Sequence, residues 1–335
     1  MCASSFEDSL VDGWAIAQLS ISGPCLSVKL PATPRRQGQS FTVPQSRLSC
    51  QIRDLTHEQA SRGTEDLDFG HTQMTGTSAT QPSAYQWRAA FYHLEEEDLG
   101  DIDFYRRCLA RISGRVLVIP SGSGRLISLT DLRTNLFFAD IEPEMVRVLR
   151  KRLTLAGIDP RFGMQANILD LQAAQPYEAI IVPAESLQMF EHSTLSRLFR
   201  SLSAASTPGG LVTVDVATFS PSCAGKPESP RYYRPDLHRE DTWEQWRRHV
   251  SGDIWLTRQV RHEDEDTSVH FTFTYRMEAG TQPTTKTATV RLWRHSLDSI
   301  LGAASGAGLS AIACHESYAD ANASGSRHVI EFVRK

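Results

Sequence analysis

The sequence lacks the features that mark proteins binding nucleic acid or anionic membranes. No lysine- or arginine-rich block occurs, and the 335 residues carry a net charge of only −4. Such partners normally require a concentrated basic surface. We therefore expect neither nucleic acid nor a membrane as a partner, and a small molecule is favoured.

Long apolar runs and paired cysteines are also missing. No stretch approaches the roughly 20 apolar residues that span a bilayer, and MCASSFEDSLVDGW at the N-terminus lacks the basic start and apolar segment of a signal peptide. The six cysteines form no C-x-x-C pair and have no histidine at metal-ligand spacing. We predict a cytoplasmic monomer or homodimer with free thiols and no metal site.

What the chain does contain divides into two regions. Residues 1–83 are crowded with Ser, Thr, Gln, Gly and Pro, which predicts an N-terminal extension, either a flexible arm or a partly ordered cap. Its stretches GPCLSVKLP and QSFTVPQSRLSCQIRDL alternate enough to form one or two short strands. The chain is 40% hydrophobic, enough for a proper core, and we expect residues 84–335 to form one domain.

Strands and helices alternate through the first half of that domain. A helical pattern ending near Gly114 precedes them. We predict strands at 116–120, 135–139, 161–166, 177–182 and 210–216, with helices at 122–132, 143–156 and 193–204 between them, and a final helix and strand at the C-terminus. This order is typical of a doubly wound α/β fold whose seven-stranded sheet is mainly parallel.

Residues 220–293 have a different pattern and interrupt a core of residues 100–219 and 294–335. The stretches SGDIWLTRQVRHED, TSVHFTFTYRMEAG and TKTATVRLWRH alternate apolar and polar residues, which predicts an antiparallel cap layer. Ahead of these stretches and at the start of the first one, arginines mix with five aromatic residues: Tyr232, Tyr233, Trp243, Trp246 and Trp255. This segment is either an aromatic-walled pocket with an arginine for a substrate carboxylate or a surface helix with arginine stems along it.

The stretch VLVIPSGSGRL, residues 116–126, is the first candidate binding site. A buried strand ends in Pro120 and passes into a small-residue loop that contains Gly122 and Gly124. In doubly wound folds such a loop lies at the ligand-binding edge of the sheet, where glycines let the backbone approach a ligand. A tight turn with no ligand is the alternative reading.

An acidic residue at the end of the second strand favours a ligand-binding loop over a plain turn. Asp140 follows the apolar run NLFFA and lies eighteen residues after Gly122, where a carboxylate can accept both hydroxyls of a ribose. It could also cap the helix that begins near Pro143, and the two roles are compatible. The pattern indicates a cofactor that contains adenosine.

Five segments in order carry a resemblance to a known family: VLVIPSGSGRL, FADIEPEMVRVLRKRL, MQANILDL, YEAIIVPAESLQMF and TPGGLVTVDV. Together they resemble the Rossmann-like (class I) S-adenosylmethionine-dependent methyltransferases, in particular the small-molecule branch. The resemblance covers Tyr92 to about Phe219 and implies S-adenosyl-L-methionine as cofactor. The cofactor-binding residues that it implies are Tyr92, Ser121, Gly122, Ser123, Gly124, Asp140, Ile141, Met145, Asn167, Ile168, Pro183 and Ser186.

The resemblance also implies a role for each part of the site. The glycine loop would hold the methionine part, Asp140 the ribose, and Ile141 and Met145 the adenine, while Tyr92 would be a lid tyrosine. Asn167 stands where the family commonly has Asp, and it would accept from the adenine amine through its amide oxygen.

Two residues depart from the family pattern in the glycine loop. Val118 stands where the family has an acid that helps hold the methionine amino group, and Pro120 replaces the first glycine. Proline also removes a backbone N–H. The loop would then bind its ligand through the later glycines alone.

The acceptor side is less well marked. Methyl transfer needs aligned reactants and, for an O–H or N–H acceptor, a base. The candidates for that base are His192 and Asp215, which follow strands at the ligand edge, with His238 and Tyr275 of the cap behind them. As substrate-binding residues we predict Gln188, Tyr232 and Tyr275. The acidic run from Glu95 to Asp98 is expected to be a solvated face.

The sequence thus predicts an enzyme, a methyltransferase that moves a methyl group to an O or N atom of a small molecule in a biosynthetic pathway. A methyltransferase-like protein that no longer methylates, either a binding or scaffolding module or an enzyme that uses the cofactor for another reaction, is the alternative.

Overall fold

The computed structural model describes the backbone of three strands between residues 9 and 31, together with residues 85–96, 100–131, 135–226, 228–280, 282–319 and 326–335. Its contacts divide the chain into two units, Met1–His71 and Thr72–Lys335. None of the helices in these ranges combines the length and apolar character that crossing a bilayer requires.

The first unit contains a small antiparallel sheet. Its strands are β1 (Ser9–Val11), β2 (Trp14–Leu19) and β3 (Leu26–Pro31), in the order β1-β2-β3. Strand β3 lies within GPCLSVKLP, where a strand was predicted. The stretch QSFTVPQSRLSCQIRDL lies outside the described residues, and the boundary of the extension near residue 83 stays a prediction.

The second unit contains eleven strands and four α-helices among its described residues. The strands are β4 (Arg115–Val118), β5 (Asn135–Asp140), β6 (Gly163–Gln165), β7 (Tyr177–Val182), β8 (Ser206–Ala217), β9 (Trp243–Ser251), β10 (Ile254–Asp264), β11 (Ser268–Glu278), β12 (Thr284–Trp293), β13 (Leu309–His315) and β14 (Arg327–Arg334). The helices are α1 (Asp101–Leu109), α2 (Pro143–Leu155), α3 (Leu195–Ala205) and α4 (Leu297–Gly306).

Seven of these strands form the predicted α/β sheet, in the order β13-β14-β8-β7-β4-β5-β6. Strands β4 to β8 pair in parallel, and β14 runs antiparallel between β8 and β13. The predicted fold class is confirmed, although the strand β13 was not predicted. Because β4 pairs with both β5 and β7, the connections reverse there, and the crevice at the carboxyl ends of these strands is the expected ligand site.

The apolar run VLVI explains why β4 lies at the centre. Val116 and Val118 pack on one face of the sheet with α1 and α2, whereas Leu117 and Ile119 pack on the other face with α3 and α4. A strand covered on both faces has no polar side, so its sequence is continuously apolar.

The predicted helix at 122–132 is wrong in type and start. Gly122 and Gly124 have φ angles of +55° and +96°, outside the helical region, and a 3₁₀ helix follows only at Arg125–Asp131. Upstream, Arg88–Ala90 and Tyr92–Leu94 form short 3₁₀ turns, so the α-helix α1 begins only after Gly100. We call residues 85–96 the lid segment.

The cap is a separate antiparallel sheet in the order β12-β11-β10-β9. The three alternating stretches predicted as strands correspond to β10, β11 and β12. The segment that contains Trp243 and Trp246 is the strand β9, so the helix reading of it is wrong there. Buried residues of the cap sheet, such as Phe271, pack with Phe219 of the core and Phe91 of the lid segment.

Candidate functional site

A cavity of about 400 Å³ lies where the sheet edge, the lid segment and the cap meet. It is bordered by the ends of β4, β5 and β7 and, on the other side, by β10, β11 and β12. Eleven of the twelve predicted cofactor residues line it: Tyr92, Ser121, Gly122, Ser123, Asp140, Ile141, Met145, Asn167, Ile168, Pro183 and Ser186. The structure therefore brings nearly the whole predicted set together at the topological switch point.

The glycine loop is tied to the neighbouring strand by two backbone N–H groups. The Ile119–Pro120 peptide is cis. Ser121 N donates to the carbonyl of Ala139 at 2.8 Å, and Gly122 N donates to Asp140 Oδ2 at 2.8 Å. The loop is thus held against the end of β5 before any ligand binds.

The two glycines of the loop have different reasons to be glycine. A Cβ on Gly122 would lie 3.4 Å from Tyr92 Cε1, which is ordinary contact with the lid tyrosine, so its positive φ is the stronger requirement. A Cβ on Gly124 would lie 2.6 Å from Ile127 Cδ1 and 2.8 Å from Leu149 Cδ1. Gly124 does not line the cavity, and the structure gives it a packing role instead of the predicted cofactor contact.

Asp140 lies between the glycine loop, the start of α2 and the cavity. Its Oδ1 accepts from Glu142 N at 3.0 Å, just before α2, and its Oδ2 accepts from Gly122 N, while the side chain still lines the cavity. Burial raises its pKa above the ordinary value, and the two backbone N–H groups oppose that rise. Further donors, such as ribose hydroxyls, would stabilise the ionised form.

The part of the cavity where adenine is predicted to bind is lined by the apolar Ile141 and the amide of Asn167. Ile141 is 59% exposed although it borders the cavity, so an aromatic ligand placed there would cover apolar surface. Asn167 Oδ1 already accepts from Leu169 N at 3.0 Å and retains a second lone pair.

The turn after β7 is strained. Ala184 and Glu185 both have positive φ, +57° and +55°, a conformation that is rare for residues other than glycine and that concentrates at functional sites. Asp215 holds the turn by accepting from Ala184 N at 3.1 Å and Glu185 N at 2.6 Å. Glu185 is also one of the residues that line the cavity.

Glu185 is an acidic group that the sequence analysis missed. Its carboxylate pairs with Arg327, which is completely buried. Burial raises the pKa of Glu185 above its ordinary value, and the charge of Arg327 counteracts part of that rise. The positive φ at this position could not be foreseen, because glutamate rarely adopts it.

The prediction that Asp215 is the base is contradicted by its surroundings. Asp215 is fully buried and does not line the cavity. Besides the two backbone N–H groups, its carboxylate accepts from the hydroxyls of Tyr105 and Tyr318, and Arg327 Nη1 lies 3.5 Å away. With all these partners inside the protein, Asp215 positions the turn and cannot reach an acceptor.

Three further predicted residues also lie away from the cavity. His192 is exposed at the start of the turn before α3, with its ring 6.0 Å from that of His295. The amide of Gln188 bonds to the backbone of Ala217 and Trp293. Tyr275 is buried and donates to Glu95 instead of a ligand, which leaves Tyr232 as the predicted substrate residue that lines the cavity.

A buried charged cluster joins the lid segment to the cap. It consists of Arg88 of the lid segment and Arg258 of β10, which we call the arginine pair, with the carboxylate of Glu95 between them. Arg88 Nη2 lies 2.7 Å from Glu95 Oε2, Arg258 Nη1 donates to the same oxygen, and all three side chains are 5% exposed. The expected solvated face is therefore wrong for Glu95. Although burial opposes its ionisation, the charge of Arg88 lowers the pKa of Glu95 below its ordinary value.

The lid segment is also fastened to the glycine loop. Ser123 Oγ donates to Glu96 Oε1 at 2.7 Å, and Arg152 of α2 donates to the same oxygen at 2.7 Å. Burial raises the pKa of Tyr92, whose ring lies over Gly122. These contacts close one side of the cavity.

Comparison with known proteins gives matches to structures alone. No family model and no curated protein matches the sequence. A sugar N-methyltransferase, KedS8 from Streptoalloteichus sp, is 16% identical with a TM-score of 0.59 over 79% of this chain and 100% of that chain. An S-adenosylmethionine-dependent methyltransferase from Clostridium acetobutylicum is 12% identical, TM-score 0.57, over 74% and 96%. The amino pentose methyltransferase CalS10 from Micromonospora echinaspora, solved with S-adenosylmethionine, is 12% identical, TM-score 0.54, over 79% and 100%.

These likenesses agree with the strand order. The chain has the Rossmann-like fold of the class I S-adenosylmethionine-dependent methyltransferases, and the resemblance stated from the sequence is confirmed for the fold.

Proposed function

We propose that the protein is an S-adenosylmethionine-dependent methyltransferase that moves a methyl group to an O or N atom of a small molecule. The observation that carries the proposal is the convergence of Asp140 and the glycine loop on one cavity at the switch point of the sheet. Folds alone do not define functions, so the proposal depends on this site.

The residues present fit the cofactor. Ser121 to Ser123 would face its methionine part, Asp140 its ribose, and Ile141 and Asn167 its adenine, as the lining of the cavity allows. When bound, the cofactor supplies an electrophilic methyl group on a sulfonium that leaves as a neutral thioether.

The protein then has to align the acceptor and exclude water. The lid segment and the apolar residues Phe271 and Phe273 of the cap border the cavity and would do both. As the acceptor atom forms its bond to the methyl group, an O–H or N–H acceptor releases a proton. We assign the proton to the carboxylate of Glu185, since it borders the cavity at the carboxyl end of β7.

The neighbours favour nitrogen as the acceptor atom. KedS8 is named a sugar N-methyltransferase, and CalS10 an amino pentose methyltransferase involved in calicheamicin biosynthesis. We extend to this chain an amine-bearing small molecule and a biosynthetic pathway in the cytoplasm.

A protein that binds the cofactor without methylating is the second candidate. It is favoured by Val118, a buried apolar residue that borders the cavity where the family resemblance places an acid. No methionine amino group would find its usual carboxylate at this position.

Titration calorimetry with S-adenosylmethionine and S-adenosylhomocysteine tests the first step. We expect binding in the micromolar range, and the absence of both heat and a thermal shift would contradict the proposal. Incubation with S-adenosylmethionine and a panel of small amines and alcohols then separates the two candidates. Formation of S-adenosylhomocysteine with any member supports the methyltransferase, whereas binding without turnover on the whole panel favours the second candidate.

A further inference from the structure

We propose that the methyl acceptor carries a carboxylate, and that the arginine pair, on the side of the cavity formed by the lid segment and the cap, binds it. The inference rests on the proposed function, because it names the substrate class of the same cavity. It starts from the charge balance of the arginine pair. Two guanidinium groups, Arg88 and Arg258, share the single carboxylate of Glu95 in a region where all three side chains are 5% exposed.

An excess of one positive charge in such a place is costly. Buried charges are normally paired, and an uncompensated one is strongly destabilising. The surrounding rings reduce the cost in part, since the Arg88 guanidinium carbon lies 4.8 Å from the centre of Tyr85 and that of Arg258 lies 5.0 Å from Trp246. Because aromatic faces do not neutralise a charge, the pair is still suited to one monovalent anion.

The hydrogen-bonding capacity agrees with the charge. The two guanidinium groups together carry ten N–H donors. Glu95 and the side-chain oxygen of Gln245 take five of them, and Tyr85 is a further partner of Arg88. Within the described part of the chain, the buried Nη1 of Arg88 still has no hydrogen-bond partner. A forked arginine with donors to spare is the common partner of a carboxylate.

The position of the pair assigns the anion to the acceptor. Arg258 belongs to β10 of the cap, and both arginines line the cavity together with Phe271, Phe273, Val290 and Leu292. These apolar residues offer a surface for the body of the acceptor beside the charged end. The glycine loop and Asp140, to which we assign the cofactor, line the same cavity from the sheet edge.

A second groove shares one border with the cavity. Arg231 borders both the cavity and a groove of about 260 Å³ on the cap, which is lined by three arginines and one glutamate: Arg231, Arg234, Arg248 and Glu244. An excess of positive charge beside a binding site raises the local concentration of an anionic ligand. A monoanionic carboxylate, rather than a phosphate with nearly two charges, matches the excess of one.

The test uses pairs of fragments that differ only in charge. Aromatic and aliphatic carboxylates such as 4-aminobenzoate are compared with the corresponding amides and with phosphate monoesters, by calorimetry on the full chain with saturating S-adenosylhomocysteine. We expect at least one carboxylate to bind about tenfold more tightly than its amide, the value of one charge-assisted hydrogen bond. No carboxylate preference in the whole panel, or a preference for phosphate monoesters, would overturn the proposal.

Variants locate the effect. In Glu95→Gln the pair loses its internal carboxylate, so the affinity for the carboxylate should rise while that for the amide stays unchanged, a gain that unfolding cannot produce. Arg258→Met should abolish the preference, and Arg258→Lys should lose part of it because lysine lacks the fork. Arg231→Met, at an exposed position, should lower the affinity for the carboxylate and leave the affinity for the amide unchanged.

The cofactor itself provides the discriminating control. S-adenosylhomocysteine also has a carboxylate, and its affinity should be the same in Arg258→Met as in the unaltered protein. If that affinity falls with the preference, the pair binds the cofactor and the inference is wrong. If S-adenosylhomocysteine fails to bind the unaltered protein, the proposed function fails, and the fragment pairs measured without it still report on the anion site.

Discussion

The two walls of the cavity are built in different ways. The sheet-edge wall comes from short stretches at strand ends, and its contacts include backbone N–H groups, such as Gly122 N to Asp140. The other wall, which we call the cap wall, is formed by the lid segment and the cap. Its side chains come from distant parts of the sequence, such as Tyr275, whose hydroxyl donates to Glu95 at 2.8 Å. The first wall suits a cofactor that many proteins share, whereas the second suits an acceptor particular to this chain.

The largest effect should come from a residue that supports the first wall without touching a ligand. Asp215→Ala removes the acceptor for Ala184 N, Glu185 N and two tyrosine hydroxyls, and it leaves Arg327 short of a partner. We expect the free energy of unfolding to fall by about 3–5 kcal/mol. Denaturant unfolding of Asp215→Ala and of the parent protein measures this difference in unfolding free energy.

His192→Ala is the matched comparison, because His192 was the other predicted base. The side chain is exposed and does not line the cavity, so its removal should change the unfolding free energy by less than about 0.5 kcal/mol. If His192→Ala lost methyl transfer while it still bound S-adenosylhomocysteine, His192 would be a catalytic residue after all.

Glu185→Gln tests the proton acceptor proposed where the two walls meet. With an acceptor that supports turnover, kcat should fall about 100-fold, at the lower end of what a general base contributes. Since burial raises the pKa of Glu185, the unaltered enzyme should lose activity as the pH falls through that raised value, and the variant should not show this limb.

Glu142→Gln serves as the control for Glu185, as it removes another carboxylate that borders the cavity. Its activity should stay within a few-fold of the unaltered enzyme, with the acidic limb intact. An unchanged pH profile in Glu185→Gln would refute the assignment.

Asp140→Ala tests the cofactor side of the sheet-edge wall. The ribose would lose a charged acceptor and the glycine loop its tie at Gly122. We expect the affinity for S-adenosylhomocysteine to fall about 30-fold, or about 2 kcal/mol. Asp103→Asn, a substitution at an exposed position of α1, should leave this affinity unaltered. Equal affinities of Asp140→Ala and the parent protein would mean that Asp140 does not bind the ribose.

The contrast between the walls also explains what the sequence could predict. Asp140, Asn167 and Ser186 follow strands that periodicity identifies, so their meeting at one edge follows from the parallel topology. Arg88 and Arg258 lie 170 residues apart on a short 3₁₀ turn and a cap strand, and no local pattern pairs them. Even Glu95 was expected in solvent, because a run of four acids is usually exposed.

The smallest effect should appear in acid, and it reports on the cap wall. The pKa of Glu95 is lowered by Arg88 against the effect of burial, so the folded state binds its proton less readily than the unfolded state, whose value is about 4.5. The resulting stability is fully present above that value and is lost as the pH falls through the lower folded pKa. Below pH 4.5 the unfolding free energy of Glu95→Gln should therefore fall less steeply than that of the parent protein. Glu278→Gln is the control, because Glu278 is a half-exposed cap residue paired with Arg247, and its curve should follow that of the parent more closely. Parallel curves for Glu95→Gln and the parent would mean that the pKa of Glu95 is the same in the folded and unfolded states, so that Arg88 and Arg258 give the ionised carboxylate no net stabilisation.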